Sequence, residues 1–282
     1  RSISVTRWPR LAALTAASRG HRVTLIERSA ELGGQVAWMA RVPGTGELAD
    51  TARWLIAQLR AADAEIYLNS EASVDLLAEG EYESVIVATG ATPLKHGWSA
   101  LHPERWDGPA LGGTQQSWVY SYGEALGPGE PLKEGCGRRA VLFDGIGARQ
   151  GVATAEYLAR AGWVVEFVTQ LGQAAPNLAA SRDWGKYYGM LKRLGVRFTP
   201  DHEIAAIGRR GVTLCDVFTG VRTQRRAVDA LVLVNGAKAE DGLYHELRRR
   251  LPQLEVHMIG DCVAPRRIND AIHEGELIAR RI

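Results

Sequence analysis

Three glycines, Gly145, Gly147 and Gly151, follow a strand-like run from Arg139 to Asp144 and open a helical stretch from Val152 to Ala161. Glycines placed this way after a strand suit a dinucleotide's pyrophosphate. The first makes a tight turn, the second lets backbone approach phosphate, and the third brings helix and sheet close together. Here the third falls one residue late, and Thr169 and Gln170 stand where an acid should meet the ribose at the end of the return strand. Two readings stay open: Gly145, Gly147 and the helix N-terminus hold a phosphate, or the turn only joins strand to helix.

A second candidate shows the opposite pattern. Glu27 ends the strand Val23-Thr-Leu-Ile and can accept hydrogen bonds from ribose hydroxyls. Counting back by the usual spacing puts the three glycine positions on Ser4, Thr6 and Pro9, and none is glycine. Trp8 adds a large ring, and Pro9 removes an N–H that an anion would use. Arg7 and Arg10 bring charge without restoring the turn, so this turn should bind a dinucleotide poorly or in an altered pose.

No catalytic side chain and no metal ligand set stands out. His273-Glu274 reads as a surface or packing pair, because no nucleophile accompanies it. Cys136, Cys215 and Cys262 form no CxxC pair, which excludes a zinc ribbon, a disulfide scaffold and a local dithiol centre. Cys262 is expected to be buried and inert, and the three thiols to be reduced, as in a cytoplasmic protein.

Alternating strand and helix signals must position these residues. A strand at 2–5, a helix from Pro9 to Arg19 stopped by Gly20, and the strand ending at Glu27 make a β-α-β unit. A loop with Gly33, Gly34 and Gln35 follows, then a helix near 47–62, strands near 65–68 and 84–88, and a turn at Thr89-Gly90. Residues 95–137 read as irregular. The second β-α-β unit covers 139–169, followed by a helix near 184–194 and strands near 196–199, 212–217 and 228–234. A strand at 255–260, Asp261 and a helix at 268–281 close the chain. Two such units predict parallel sheets covered by helices.

The chain has 282 residues, of which 46% are hydrophobic, with 34 Lys+Arg against 32 Asp+Glu. That composition excludes a disordered chain and allows two domains with real cores. A net charge of +2 gives no pull toward nucleic acid or anionic membrane, and Arg248-Arg-Arg250 reads as a solvated face. No apolar run approaches the roughly 18–20 residues of a membrane span. The first residue is Arg rather than Met, so the chain is expected to be processed or a piece of something longer.

Several motifs carry a resemblance. Gly20-His-Arg-Val-Thr-Leu-Ile-Glu27, Glu31-Leu-Gly-Gly-Gln35 and Val87-Ala-Thr-Gly-Ala-Thr-Pro93 resemble the flavin-binding half of pyridine-nucleotide:disulfide-reductase-like domains. More narrowly, Gly260-Asp-Cys-Val-Ala-Pro-Arg-Arg-Ile268 with Asp270-Ala-Ile-His-Glu-Gly275 resembles the C-terminal region of the trimethylamine dehydrogenase, histamine dehydrogenase and 2,4-dienoyl-CoA reductase family. The resemblance implies a region that binds FAD or ADP beside a barrel carrying FMN and an iron–sulfur cluster. It also implies that Glu27 and Arg28 meet the adenosine side, and that Gly33, Gly34 and Gln35 line the groove. Thr89 and Gly90 would close over it, and Asp261 would sit by the ribityl or pyrophosphate portion. The departures are the missing first glycines and the lack of a cysteine cluster for iron–sulfur.

The expected fold is therefore α/β, with two doubly wound Rossmann-like dinucleotide-binding lobes, the second inserted into the first. Residues 1–105 and 245–282 would form the FAD- or ADP-type lobe, and 106–244 the NAD(P)-type lobe. Function divides into two expectations. One is a dinucleotide-binding electron-transfer module, with FAD or ADP and an optional NAD(P)H, working with a barrel subunit or domain. The other is a non-catalytic structural or assembly subunit that kept the fold and lost flavin.

Overall fold

The computed structural model describes residues 2–7 and 10–282. Trp8 and Pro9 lie outside the described residues, as do the side chains of Ser4, Thr6, Arg7 and Arg10. Two compact units emerge. The first comprises residues 1–37, 47–92 and 237–282, and the second 38–46 and 93–236.

The chain runs through β1 (Ser2–Arg7), α1 (Arg10–Ser18), β2 (Arg22–Ile26), α2 (Gly34–Ala40), α3 (Gly46–Ala61), β3 (Glu65–Tyr67), α4 (Val74–Glu79), β4 (Ser84–Ala88) and β5 (Ala91–Pro93), which lie in the first unit apart from residues 38–40 of α2, Gly46 and Pro93. The second unit holds β6 (Val119–Ser121), α5 (Tyr122–Leu126), β7 (Arg139–Asp144), α6 (Arg149–Arg160), β8 (Val164–Thr169), α7 (Trp184–Arg193), β9 (Arg197–Thr199), β10 (His202–Ile207), β11 (Gly211–Asp216), β12 (Arg222–Arg226) and β13 (Ala230–Val234). The chain then returns through β14 (Ala237–Ala239), α8 (Gly242–Arg250), β15 (Glu255–Met258) and α9 (Ile268–Ala279).

The first unit is built on a parallel sheet of order β15-β4-β1-β2-β3. Every residue of β4 is buried, as expected for a strand covered on both faces. On one face Ala12, Ala13 and Ala16 of α1 meet Leu59 of α3 and Ala279 of α9. The small side chains allow close approach, since a Cβ on Gly275 of α9 would lie 3.6 Å from that of Ala12. On the other face Val74 and Leu77 of α4 and Leu247 of α8 pack on Val85 and Val87. A two-stranded ribbon of β5 and β14 lies where the chain leaves and re-enters this unit.

The second unit has a parallel sheet of order β6-β13-β7-β8-β9. Alternation along its strands sorts the two faces. Leu142, Phe167 and Val232 meet Leu158 of α6 and Leu191 of α7. Val141, Phe143, Leu231 and Leu233 turn the other way, onto Ile204, Val212 and Leu214 of an antiparallel β10-β11-β12 sheet. Both units are Rossmann-like α/β structures, the second inserted in the chain of the first.

The expectation of an irregular 95–137 needs one correction: β6 and α5 lie within it. α5 starts with a capping box, Ser121 accepting from the Glu124 N–H while Glu124 accepts from the Ser121 N–H. Glycine-rich neighbours hide so short a helix from periodicity. Likewise α2 begins at Gly34, inside what reads as a loop.

Candidate functional site

In the first unit the chain steps from β1 to β2 to β3 in one direction, then crosses to β4 and β15 on the other side of β1. The carboxyl edge at such a reversal is where open α/β sheets take ligands. Glu27, Thr89, Gly90 and Asp261 all lie just beyond strands of this one edge. The edge therefore gathers the residues that the motifs single out around β2, β4 and β15.

Glu27 is held with unusual economy. Its backbone N–H donates to the Tyr67 carbonyl at 2.8 Å, and its carbonyl accepts from Ser70 at 3.0 Å, so the loop beyond β3 fixes it. The side chain is 1% exposed, and Oε1 accepts the Ser29 N–H at 2.8 Å. Oε2 is buried and has no hydrogen-bond partner. An acceptor of that kind costs free energy unless a donor reaches it. Arg28, next in sequence, is exposed.

Gly33 and Gly34 take positive φ values of 144° and 48°, and α2 starts there. Gln35 Nε2 donates to the Ala91 carbonyl at 2.9 Å, tying the start of α2 to β5. Gly90 has φ 74°, and a Cβ built on it would meet nothing within 4 Å. Its carbonyl accepts from the Glu240 N–H at 2.9 Å, and the Thr89 hydroxyl donates to the Glu240 carbonyl. The turn after β4 is thus anchored from behind and open at Gly90.

Asp261 sits in a short 3-10 turn, Gly260–Cys262, after β15. Its Oδ1 accepts the Arg266 N–H at 3.0 Å. Burial pushes its carboxyl above the ordinary range; Arg266 opposes this, while Asp270 and Glu274 add to it. Glu274 accepts the Gly260 N–H at 2.7 Å and pairs with Arg266, so it shapes this turn, while His273 is exposed. Cys262 is fully buried, its thiol directed at the Ile259 and Val87 carbonyls and pushed up by burial.

The glycine-rich turn of the second unit also lies at a strand-order reversal, between β7 and β13. Asp144, the last residue of β7, is fully buried. Its Oδ1 accepts the N–H groups of Gly147 at 2.9 Å and Ile146 at 3.2 Å, and its Oδ2 has no partner. Burial pushes this carboxyl up to about 7 against the pull of the Gly147, Ile146 and Ala175 N–H groups. The Gly145 N–H donates to Val234 at 3.0 Å. Gln170, beyond β8, donates to the Gly145 carbonyl at 3.2 Å, and the Thr169 hydroxyl donates to the Asp144 carbonyl at 2.8 Å. Gly151 lies inside α6, where a Cβ on it would come 2.8 Å from Asp144 Cγ. Sequence reading passed over Asp144 as a strand end, although an acid directly before Gly-x-Gly is a signal that it reaches the turn's own amides.

Among the described residues no group of His, Cys, Asp and Glu side chains can hold a metal ion, and no helix is long and apolar enough to cross a membrane.

No protein-family model matches the chain. Over 95% of its length it is 29% identical to N,N-dimethylglycine/sarcosine dehydrogenase of Chromohalobacter salexigens, of which it spans 42%. Among solved structures, 6-hydroxypseudooxynicotine amine oxidase from Pseudomonas geniculata N1 superposes on 99% of the chain with a TM-score of 0.89 and 28% identity, over 41% of its own length. Histamine dehydrogenase from Rhizobium sp. 4-9 covers the whole chain with a TM-score of 0.90 and 25% identity, over 44% of its own length. The chain thus spans about two-fifths of the curated relatives it matches. Its relatives and structural neighbours are flavin oxidoreductases of the trimethylamine, histamine and dimethylamine dehydrogenase type and of the 2,4-dienoyl- and naphthoyl-CoA reductase type, and this chain corresponds to their C-terminal region.

Proposed function

We propose that the chain is the dinucleotide-binding, electron-transfer module of a flavin-dependent oxidoreductase resembling trimethylamine dehydrogenase, and that its first unit takes the adenosine half of FAD or ADP. Glu27 carries this reading. Its buried Oε2 lacks a donor at the carboxyl edge of the sheet, the position from which an acid receives ribose hydroxyls. Gly33, Gly34 and Gln35 would line the groove, and the open face of Gly90 leaves room for a ligand to approach backbone. Asp261, in the turn after β15, would contact the ribityl or pyrophosphate portion.

Flavin, where bound, supplies the redox chemistry. The residues of this chain bind the nucleotide, fix its orientation and exclude water. A barrel with FMN and an iron–sulfur cluster, as a separate subunit or as another part of one polypeptide, would carry the substrate reaction.

A second reading has one observation in its favour. Thr6 and Pro9 replace glycine at the first strand-to-helix turn, which favours a unit that keeps ADP, or no nucleotide, as a structural element. One experiment separates the two. The purified chain is examined in a flavin's visible absorption band, and the ligand released on denaturation is weighed by mass spectrometry. FAD supports electron transfer, ADP alone supports the structural version, and a colourless chain releasing neither overturns the proposal.

A further inference from the structure

The second glycine-rich turn has the spacing of a pyrophosphate cradle, so where its donors and its open space go decides what it can hold. The N–H groups of Gly145, Ile146 and Gly147 all donate inside the protein, the first to Val234 and the other two to Asp144 Oδ1. Its carbonyls are engaged as well: Ile146 accepts from Asn177 Nδ2 at 3.0 Å and Gly147 from the Asn177 N–H at 3.1 Å.

The space that each glycine leaves is also filled by protein. A Cβ on Gly147 would lie 2.6 Å from Leu171 Cδ1 and 2.9 Å from Pro176 Cδ, so the 171–178 segment covers the face that phosphate would approach. A Cβ on Gly151 would lie 2.8 Å from Asp144 Cγ, and one on Gly145 3.2 Å from Asn235 Nδ2. Each glycine is therefore accounted for by a neighbour in its own unit. The cation at the head of α6 is committed too, since Arg149 donates to Asp183 at 2.9 Å and to the Tyr187 hydroxyl at 2.6 Å.

We infer that this turn is closed to dinucleotides: the Asp144 carboxyl takes the place at the head of α6 that a pyrophosphate would need, with Leu171 and Pro176 lying over Gly147. A protein carboxyl group already occupies the turn amides that a phosphate would use. A phosphate would have to displace a buried side chain and break its two backbone hydrogen bonds. The second unit thus keeps the outline of a nicotinamide-nucleotide domain while its turn serves the fold. This inference stands apart from the reading of the first unit.

The test follows the amide resonances of residues 145–151 in isotopically labelled full chain at pH 8.5, titrated to millimolar NADH and, separately, inorganic pyrophosphate. ADP, followed at Gly33, Gly34 and Gln35, tests the first unit in the same sample. We expect no saturable shift at 145–151 with either probe. A saturable shift there overturns the closed turn, whatever the first unit does. A silent Gly33–Gln35 segment under ADP counts against the proposed function alone. Asp144→Asn keeps an acceptor oxygen for the same two amides, and is expected to be equally unresponsive. A response to NADH at 145–151 in that variant would show that the covering segment yields, and would likewise overturn the closed turn.

Discussion

The two units place their turns at the same topological point, the carboxyl edge where strand order reverses, and each keeps a different half of the dinucleotide fingerprint. The first has the ribose acid, Glu27, with a buried oxygen left over, and has lost the glycines of its first turn. The second has the glycines, but Thr169 stands where the acid belongs and Asp144 holds the turn's amides. The acid after β2 spends one oxygen on the Ser29 N–H of its own loop, whereas the acid ending β7 folds back onto two amides of the glycine turn itself; each keeps a second buried oxygen without a partner. A glycine pattern alone therefore does not assign a phosphate site; the atoms already bonded to its N–H groups do.

The largest test of this contrast is pH. Asp144 titrates near 7 in the folded chain and near 3.8 when unfolded, so the fold favours its neutral form. That contribution is complete below the unfolded value and is lost as pH rises through the folded one. The loss approaches about 4 kcal/mol above pH 8. Asp144→Asn should abolish this dependence, raising stability over wild type by up to about 4 kcal/mol at pH 8.5 and changing little at pH 4. Urea unfolding followed by tryptophan fluorescence reads the difference; equal pH profiles would show that Asp144 is not a buried carboxyl.

Glycine replacement should separate the turns next. Gly147→Ala combines a φ of 66° with a Cβ driven into Leu171 and Pro176, a loss of about 3 kcal/mol. Gly90→Ala faces open space and bears only the φ of 74°, about 1–2 kcal/mol. Thermal unfolding ranks them, and a reversed order would mean that Gly147 is the open position.

The smallest stability effect is expected at Glu27. Glu27→Gln keeps an oxygen for the Ser29 N–H and removes a buried charge without a second partner, so the ligand-free chain should be no less stable than wild type. A large loss in the urea midpoint would make Glu27 a structural residue.

Much of this architecture was legible in the sequence. The helix stopped by Gly20, the buried run Ser84–Ala88 and the β-α-β unit of 139–169 stand where apolar period and glycine punctuation put them. Strands that lack an apolar signal were not visible. β12 reads Arg-Thr-Gln-Arg-Arg because it is an edge strand of the small antiparallel sheet, and charges protect such edges. β10 has a register shift between Ile204 and Ala206, which blurs its alternation. At the site, residue types marked Glu27, Gly90 and Asp261 as candidates. They could not reveal that Asp144 turns back onto Ile146 and Gly147, because a side chain's choice between ligand and backbone is settled by packing around Gly151 and Pro176.

The central claim, one adenine-nucleotide site per chain placed on Glu27, is tested most directly by calorimetric titration with ADP after bound nucleotide has been removed. Wild type should take up one ADP per chain, and Glu27→Gln should bind about 10–100-fold more weakly, the loss of one or two charge-assisted hydrogen bonds. Two ADP molecules per chain, or an affinity untouched by Glu27→Gln, would contradict it.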